Sequence, residues 1–77
     1  MKSLVIDDDP LTCELVEEYL QRIGGFDYCL KISDGATALR LLATEEFDAV
    51  FLDLNLPGIN GVSLLESLPR KLPIIII

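Results

Sequence analysis

Four aspartates carry whatever chemistry this chain performs. Asp7, Asp8 and Asp9 follow one another directly after the apolar run Ser3, Leu4, Val5 and Ile6, and Asp53 interrupts a second apolar run over residues 49–54. If the two sites meet, they do so at a cost: two carboxylates about 5 Å apart repel by roughly 3 kcal/mol at an effective dielectric near 20. The chain has no histidine, and none of its 6 Lys plus Arg stands beside either acidic site in the sequence. Convergence therefore calls for a divalent cation, a bound proton, or a lysine from outside this sequence. The alternative use of an aspartate at such a place is to cap a turn or a helix. That is the simplest role for Asp9, which precedes Pro10, because proline at the first helical position follows a capping side chain well.

Two strands have to deliver these acids. Residues 49–54 are apolar except for Asp53, as a strand buried on both faces of a parallel sheet reads. Asn55, Pro57, Gly58, Asn60 and Gly61 then end it in a loop, being residues that favour turns. Residues 2–6 form the other strand. Parallel neighbours run about 4.8 Å apart, so acids at their C-terminal tips converge, and that end of an open α/β sheet is where ligands bind.

The rest of the chain alternates helix with strand. A helix opens at Pro10 with Leu11, Leu15, Val16, Tyr19, Leu20 and Ile23 as its apolar stripe, and Gly24 with Gly25 stops it. Residues 26–32 alternate like an edge strand, Tyr28, Leu30 and Ile32 against Cys29 and Lys31. Asp34 and Gly35 lead into a second helix over residues 36–44, with Ala36, Leu39, Leu42 and Ala43 expected inward. A third helix over residues 61–68 carries Val62, Leu64, Leu65 and Leu68; Pro69 breaks it, and residues 73–77 start a fourth strand. This alternation predicts βαβ units with right-handed crossovers. The expected fold is α/β, a doubly wound parallel sheet of the flavodoxin-like kind in strand order 2-1-3-4. The first and third strands are then neighbours, which the meeting of the acids requires.

Composition narrows the class. A chain of 77 residues allows one small domain at most, of a size that buries only about 60% of its unfolded surface. Its 51% hydrophobic content and mean hydropathy of +0.45 exclude disorder, and the apolar surplus predicts surface that further protein covers. The net charge of −7 argues against binding nucleic acid or an anionic membrane through this segment. Glu14, Glu17, Glu18, Glu45 and Glu46 read as solvated helix faces. Cys13 and Cys29 lack metal-ligand or CxxC spacing and read as buried or half-buried thiols. With no signal-peptide pattern and no apolar run of membrane-spanning length, a cytoplasmic setting is expected.

IDDDP at residues 6–10, VFLDLNLPGINGVSLL at residues 50–65, and the spacing between them resemble the receiver domain of two-component response regulators. The resemblance spans residues 1–77 and the N-terminal two-thirds of a receiver, a (βα)3β portion with the fifth strand and its helix absent. It implies that Asp53 is the phospho-acceptor of a histidine kinase. Asp7 and Asp8 match the acidic pair that holds Mg²⁺, and the backbone carbonyl of Asn55 matches the third protein ligand. Pro57, Gly58 and Gly61 match the loop after the acceptor, and Asp34-Gly35 the start of the second helix. A hydroxyl residue and a lysine that serve the family as switch residues would fall beyond Ile77, as would the output domain. The implied role is a phosphoryl acceptor rather than an enzyme with a separate substrate.

Two other functions use the same acids. One is a receiver-like interaction module, or a fragment, that takes no phosphate because the last third is missing. The other is a phosphohydrolase of the haloacid dehalogenase type, whose D-x-D spacing Asp7 and Asp9 reproduce. Pro10-Leu11 stands where that family has Gly-Thr, however, and the hydrolase leaves Asp53 and its loop without a task. Finally, Pro73 and the four isoleucines ending at Ile77 form an uncharged apolar edge, which invites pairing with another chain; cover by further chain or by a second copy, in a homodimer through this edge, is expected.

Overall fold

The computed structural model describes residues 1–54, 56, 61–66 and 73–76. In chain order these form β1 (Lys2–Ile6), α1 (Pro10–Ile23), β2 (Tyr28–Ile32), α2 (Gly35–Thr44), β3 (Ala49–Leu52), α3 (Gly61–Glu66) and β4 (Ile74–Ile76). The strands make a 4-stranded sheet in the order β2-β1-β3-β4, and every ladder is parallel. This is the doubly wound order that the alternation of elements predicts.

The pleat sorts the core into two layers. Side chains alternate between the faces of a strand, so Leu4, Ile6, Val50 and Leu52 pack with Ala38 and Leu42 of α2 and with Phe47 and Leu56. Val5, Ala49 and Phe51 point the other way, onto Cys13 and Leu20 of α1. Leu4, Val5 and Ile6 are each 0% exposed, and burying such a side chain contributes about 1.5–3 kcal/mol. β1 and β3, the two interior strands, thus carry much of the apolar contribution to the fold.

Local chemistry sets the helix ends. Asp9 accepts from the Leu11 N–H at 3.0 Å and the Thr12 hydroxyl at 3.2 Å, and Pro10 follows at the first helical position. Gly24 and Gly25 end α1 at φ 82° and 84°, a region that side chains disfavour. Asp34 caps α2 in the same manner, accepting from the Thr37 N–H at 2.7 Å and its hydroxyl at 2.8 Å.

Several expectations need correction. On α1 the buried residues are Cys13 and Leu20, with Val16 half-buried, whereas Leu11, Leu15, Tyr19 and Ile23 are 62%, 47%, 61% and 74% exposed. Spacing identifies an apolar helix, but the line of contact with β1 and β3 runs through 13, 16 and 20 and leaves the row at 11, 15, 19 and 23 to one side. On α2, Ala36 and Ala43 are exposed and Ala38 is buried instead, since the contact line passes through 35, 38 and 42. Strand β2 starts at Tyr28 rather than Phe26, because its ladder begins opposite Lys2. The Met1 ammonium there donates to the Gly25 carbonyl and to Asp27 at 2.7 Å. The glutamates are not all free in solvent: Glu17 holds Lys31 at 3.1 Å, Glu18 holds Arg22 at 2.7 Å, and Glu45 holds Lys2 at 2.6 Å. The Lys2 ammonium also stands 5.2 Å from the Tyr28 ring and 5.0 Å from the Phe47 ring.

Candidate functional site

Each strand tip delivers its acid one step past the last paired rung. Ile6 is paired with Ile32 on one side and Leu52 on the other. Beyond it the Asp7 N–H donates to the Ile32 carbonyl at 3.0 Å, and the Asp53 N–H donates to the Ile6 carbonyl at 2.9 Å. The backbones stay in register while the side chains leave the ladder. Carboxylate oxygens of Asp7, Asp8 and Asp53 accordingly lie within 4.8 Å of one another. Asp7 is buried, Asp53 half-buried and Asp8 exposed, so the group opens to solvent at one side.

Asp7 is held at three points. Besides its N–H bond to β2, its carboxylate accepts the Asp9 N–H at 2.9 Å, and its carbonyl accepts the Cys13 thiol at 3.5 Å. Burial is the main influence that raises the proton affinity of its carboxyl above the ordinary aspartate value. The Asp9 N–H opposes this, while the charges of Asp53 and Asp8 reinforce it. Burial, and then the Asp7 charge, also push the Cys13 thiol up. Asp9 itself is not in the cluster, because both of its oxygens are engaged at the start of α1.

An open cavity of about 220 Å³ adjoins the acids and is bordered by Asp7, Asp8, Cys13, Glu14, Lys31 and Ser33, among others. The Lys31 ammonium is turned to Glu17 of α1, whose carboxylate raises its pKa. Cys13 and Lys31 had no place in the sequence-level site. The strand order alone brings residue 31 beside the tip of β1, and Cys13 is one helical turn past the cap; those were the available signals. Asn55, Pro57, Gly58 and Asn60 lie outside the described residues, and Gly61 begins α3.

The donor set is wholly oxygen and anionic, the kind that suits Mg²⁺ or Ca²⁺ rather than a softer ion. The chemistry of the donor set tests the fit: three carboxylates, each offering an oxygen within 4.8 Å of the others, gather an excess of negative charge at one place. A divalent cation answers the same excess of negative charge. The residues present therefore fit such an ion.

Residues 3–77 match the family model described as response regulator receiver domain. The chemotaxis protein CheY-3 of Vibrio cholerae is 34% identical over 82 residues, an alignment that takes in 100% of this chain and 62% of the relative. A solved structure of the MaeR response regulator bound to beryllium trifluoride superimposes with a TM-score of 0.87 at 33% identity, over 100% of this chain and 66% of that one. A chain from the complex of histidine kinase ThkA with response regulator TrrA superimposes with a TM-score of 0.80 at 34% identity, over 99% of this chain and 67% of that one. The chain thus spans less than two thirds of the length of CheY-3 and about two thirds of the solved chains.

Proposed function

The chain belongs to the response regulator receiver domain family, and from that premise we propose that Asp53 accepts a phosphoryl group from a histidine kinase and thereby switches an output. The observation that carries this reading is the convergence of Asp7, Asp8 and Asp53 within 4.8 Å at the C-terminal ends of β1 and β3. Asp53 is read as the acceptor because it follows β3 directly, at the position that resembles the family's phospho-acceptor. One of its carboxylate oxygens attacks phosphorus in line with the leaving nitrogen of the donor phosphohistidine; the P–N bond breaks, and the freed imidazole takes up a proton. Asp7, Asp8 and the backbone carbonyl of Asn55 are the residues that would hold Mg²⁺, which supplies positive charge to the oxygens of the transferring phosphoryl group. Asp7, tied down at three points, keeps its carboxylate on the inner side of the cluster, and exposed Asp8 closes the outer side. Preset positions of this kind account for rate because phosphoryl transfer relies chiefly on alignment and charge stabilisation.

On this reading the protein is a stoichiometric acceptor rather than an enzyme, since the transferred group ends on its own side chain. A kinase partner is supported by the ThkA–TrrA complex, in which a related regulator is solved with its kinase. A phosphoryl-bearing state is supported by MaeR, whose structure holds beryllium trifluoride, an anion with the shape and charge of a phosphoryl group. The proposed setting is the cytoplasm, where the free thiols of Cys13 and Cys29 stay reduced. The output is a partner or domain outside these 77 residues. A dehalogenase-type hydrolase is disfavoured because Asp9, needed for its D-x-D pair, is committed to capping α1.

A second reading is an interaction module that takes no phosphate. Incubation with radiolabelled acetyl phosphate and Mg²⁺ separates the two. Label on the parent but not on Asp53→Asn supports the acceptor; label on neither supports the module, and label on both places the acceptor elsewhere.

A further inference from the structure

Asp7 owes its position to more than its own strand. Its N–H is fixed to the Ile32 carbonyl at 3.0 Å and its carboxylate to the Asp9 N–H at 2.9 Å, both within the loop and sheet that carry it. The third tether comes from elsewhere: the Cys13 thiol, in the first turns of α1, donates to the Asp7 carbonyl at 3.5 Å in a buried setting. Cys13 is 5% exposed and Asp7 6%, so the contact is largely shielded from solvent. The open cavity of about 220 Å³ lies against the same two residues. The thiol ties the Asp7 carbonyl to α1.

From this geometry we infer that Cys13 is a positioning residue of the cation site, setting the Asp7 peptide so that the Asp7 carboxylate meets those of Asp8 and Asp53. The inference rests on the proposed acceptor function and deepens it. Valine or isoleucine would fill the space in the Val5, Leu20, Ala49 and Phe51 cluster as well as cysteine does, but neither has a donor. An S–H group is a weak donor, and an S–H···O contact is worth up to about 1 kcal/mol; losing it should displace Asp7 without unfolding the chain.

The test compares Cys13→Ser, which keeps a donor, with Cys13→Ala and Cys13→Val, which have none. Two quantities are read: Mg²⁺ affinity by calorimetric titration, and the carbonyl ¹³C shift of Asp7 in the metal-free protein. In Cys13→Ala and Cys13→Val, Mg²⁺ binding should weaken about three- to fivefold and the Asp7 carbonyl signal should move as it does on losing a hydrogen bond. Cys13→Ser should leave both close to the parent. A role in packing alone predicts the opposite order, with Cys13→Val closest to the parent and Cys13→Ser the most impaired, and that result overturns the inference. So does parental Mg²⁺ affinity in both donor-free variants. Should Cys13→Val fail to fold, the comparison of alanine with serine decides the matter. A parent protein that binds no Mg²⁺ at all overturns the acceptor reading and this inference with it, whereas normal Mg²⁺ binding with unaffected variants overturns only the role of Cys13.

Discussion

Asp53 stands beside Asp7 because each follows a member of one rung, Leu52 paired with Ile6, in the parallel ladder of β1 and β3. That ladder fixes the backbones that carry the two carboxylates, and its residues are almost wholly buried. Like charge is thus held at adjoining strand tips, and the Asp53 charge adds to the influence of burial in raising the proton affinity of Asp7.

Mg²⁺ at millimolar concentration should raise the melting temperature of the parent protein, and Asp8→Ala should remove the effect. At about a hundred times its dissociation constant, a ligand specific for the native state adds roughly 2.7 kcal/mol. Scanning calorimetry with and without the ion is the check; an unchanged melting temperature for the parent would sink the metal assignment.

Asp53→Asn should block phosphate incorporation and at the same time stabilise the metal-free protein, because it removes a charge that pushes on Asp7 while preserving shape. Labelling with acetyl phosphate and thermal melting on the same sample measure both. Reduced stability would instead mark Asp53 as a structural cap of its turn.

The pH dependence follows from the sign of the Asp7 shift. Burial and neighbouring charge raise its pKa in the folded state, so the folded chain holds this proton more tightly than the unfolded chain. Its contribution to stability is complete below the unfolded value, about pH 4, and is lost as pH rises through the folded value. Asp34 acts in the opposite sense: the Thr37 N–H lowers its pKa, and its contribution is lost as pH falls. Asp7→Asn should therefore remove the part of the loss in metal-free stability that sets in as pH rises above about 4 in urea titrations. A slope identical to the parent would show that another group holds the proton.

The 77-residue polypeptide expressed by itself should associate through β4, on whose outer side no strand pairs among the described residues. Ile75 is 47% exposed on that strand; Ile75→Lys should shift light scattering toward the monomer, since a charge on an edge strand opposes pairing. A monomeric parent would refute the edge as a site of association.

The sheet order and the meeting of Asp7, Asp8 and Asp53 were legible in the sequence because helix and strand patterns alternate throughout and each acid directly follows an apolar strand. Four buried residues in a row at Ala49–Leu52 leave little choice of place for such a strand but the interior. What depends on how elements cross was not legible. The apolar residues of α1 do not announce that Leu11 and Ile23 face solvent while Cys13 faces the core. The Lys2–Glu45 pair joins residues 43 positions apart, a distance over which only the folded sheet brings them together. The part played by Cys13 was hidden for the same reason, as a thiol gives no sign in sequence of the carbonyl it meets.

The β1–β3 ladder joins segments 46 residues apart, like the bond from the Lys2 N–H to Asp48 at its lower end, whereas β1 and β2 are linked through α1 alone. Loop closure costs entropy that rises with length, and pairings distant in sequence slow folding. The β1–α1–β2 unit can thus assemble with Asp7 and Asp8 in place while Asp53 is still remote, and the three acids confront one another only when β3 docks. Their repulsion is a brake on that closing step. Mg²⁺ should then accelerate refolding more than it retards unfolding in stopped-flow experiments, and the reverse partition would put the gathering of the acids after the folding barrier.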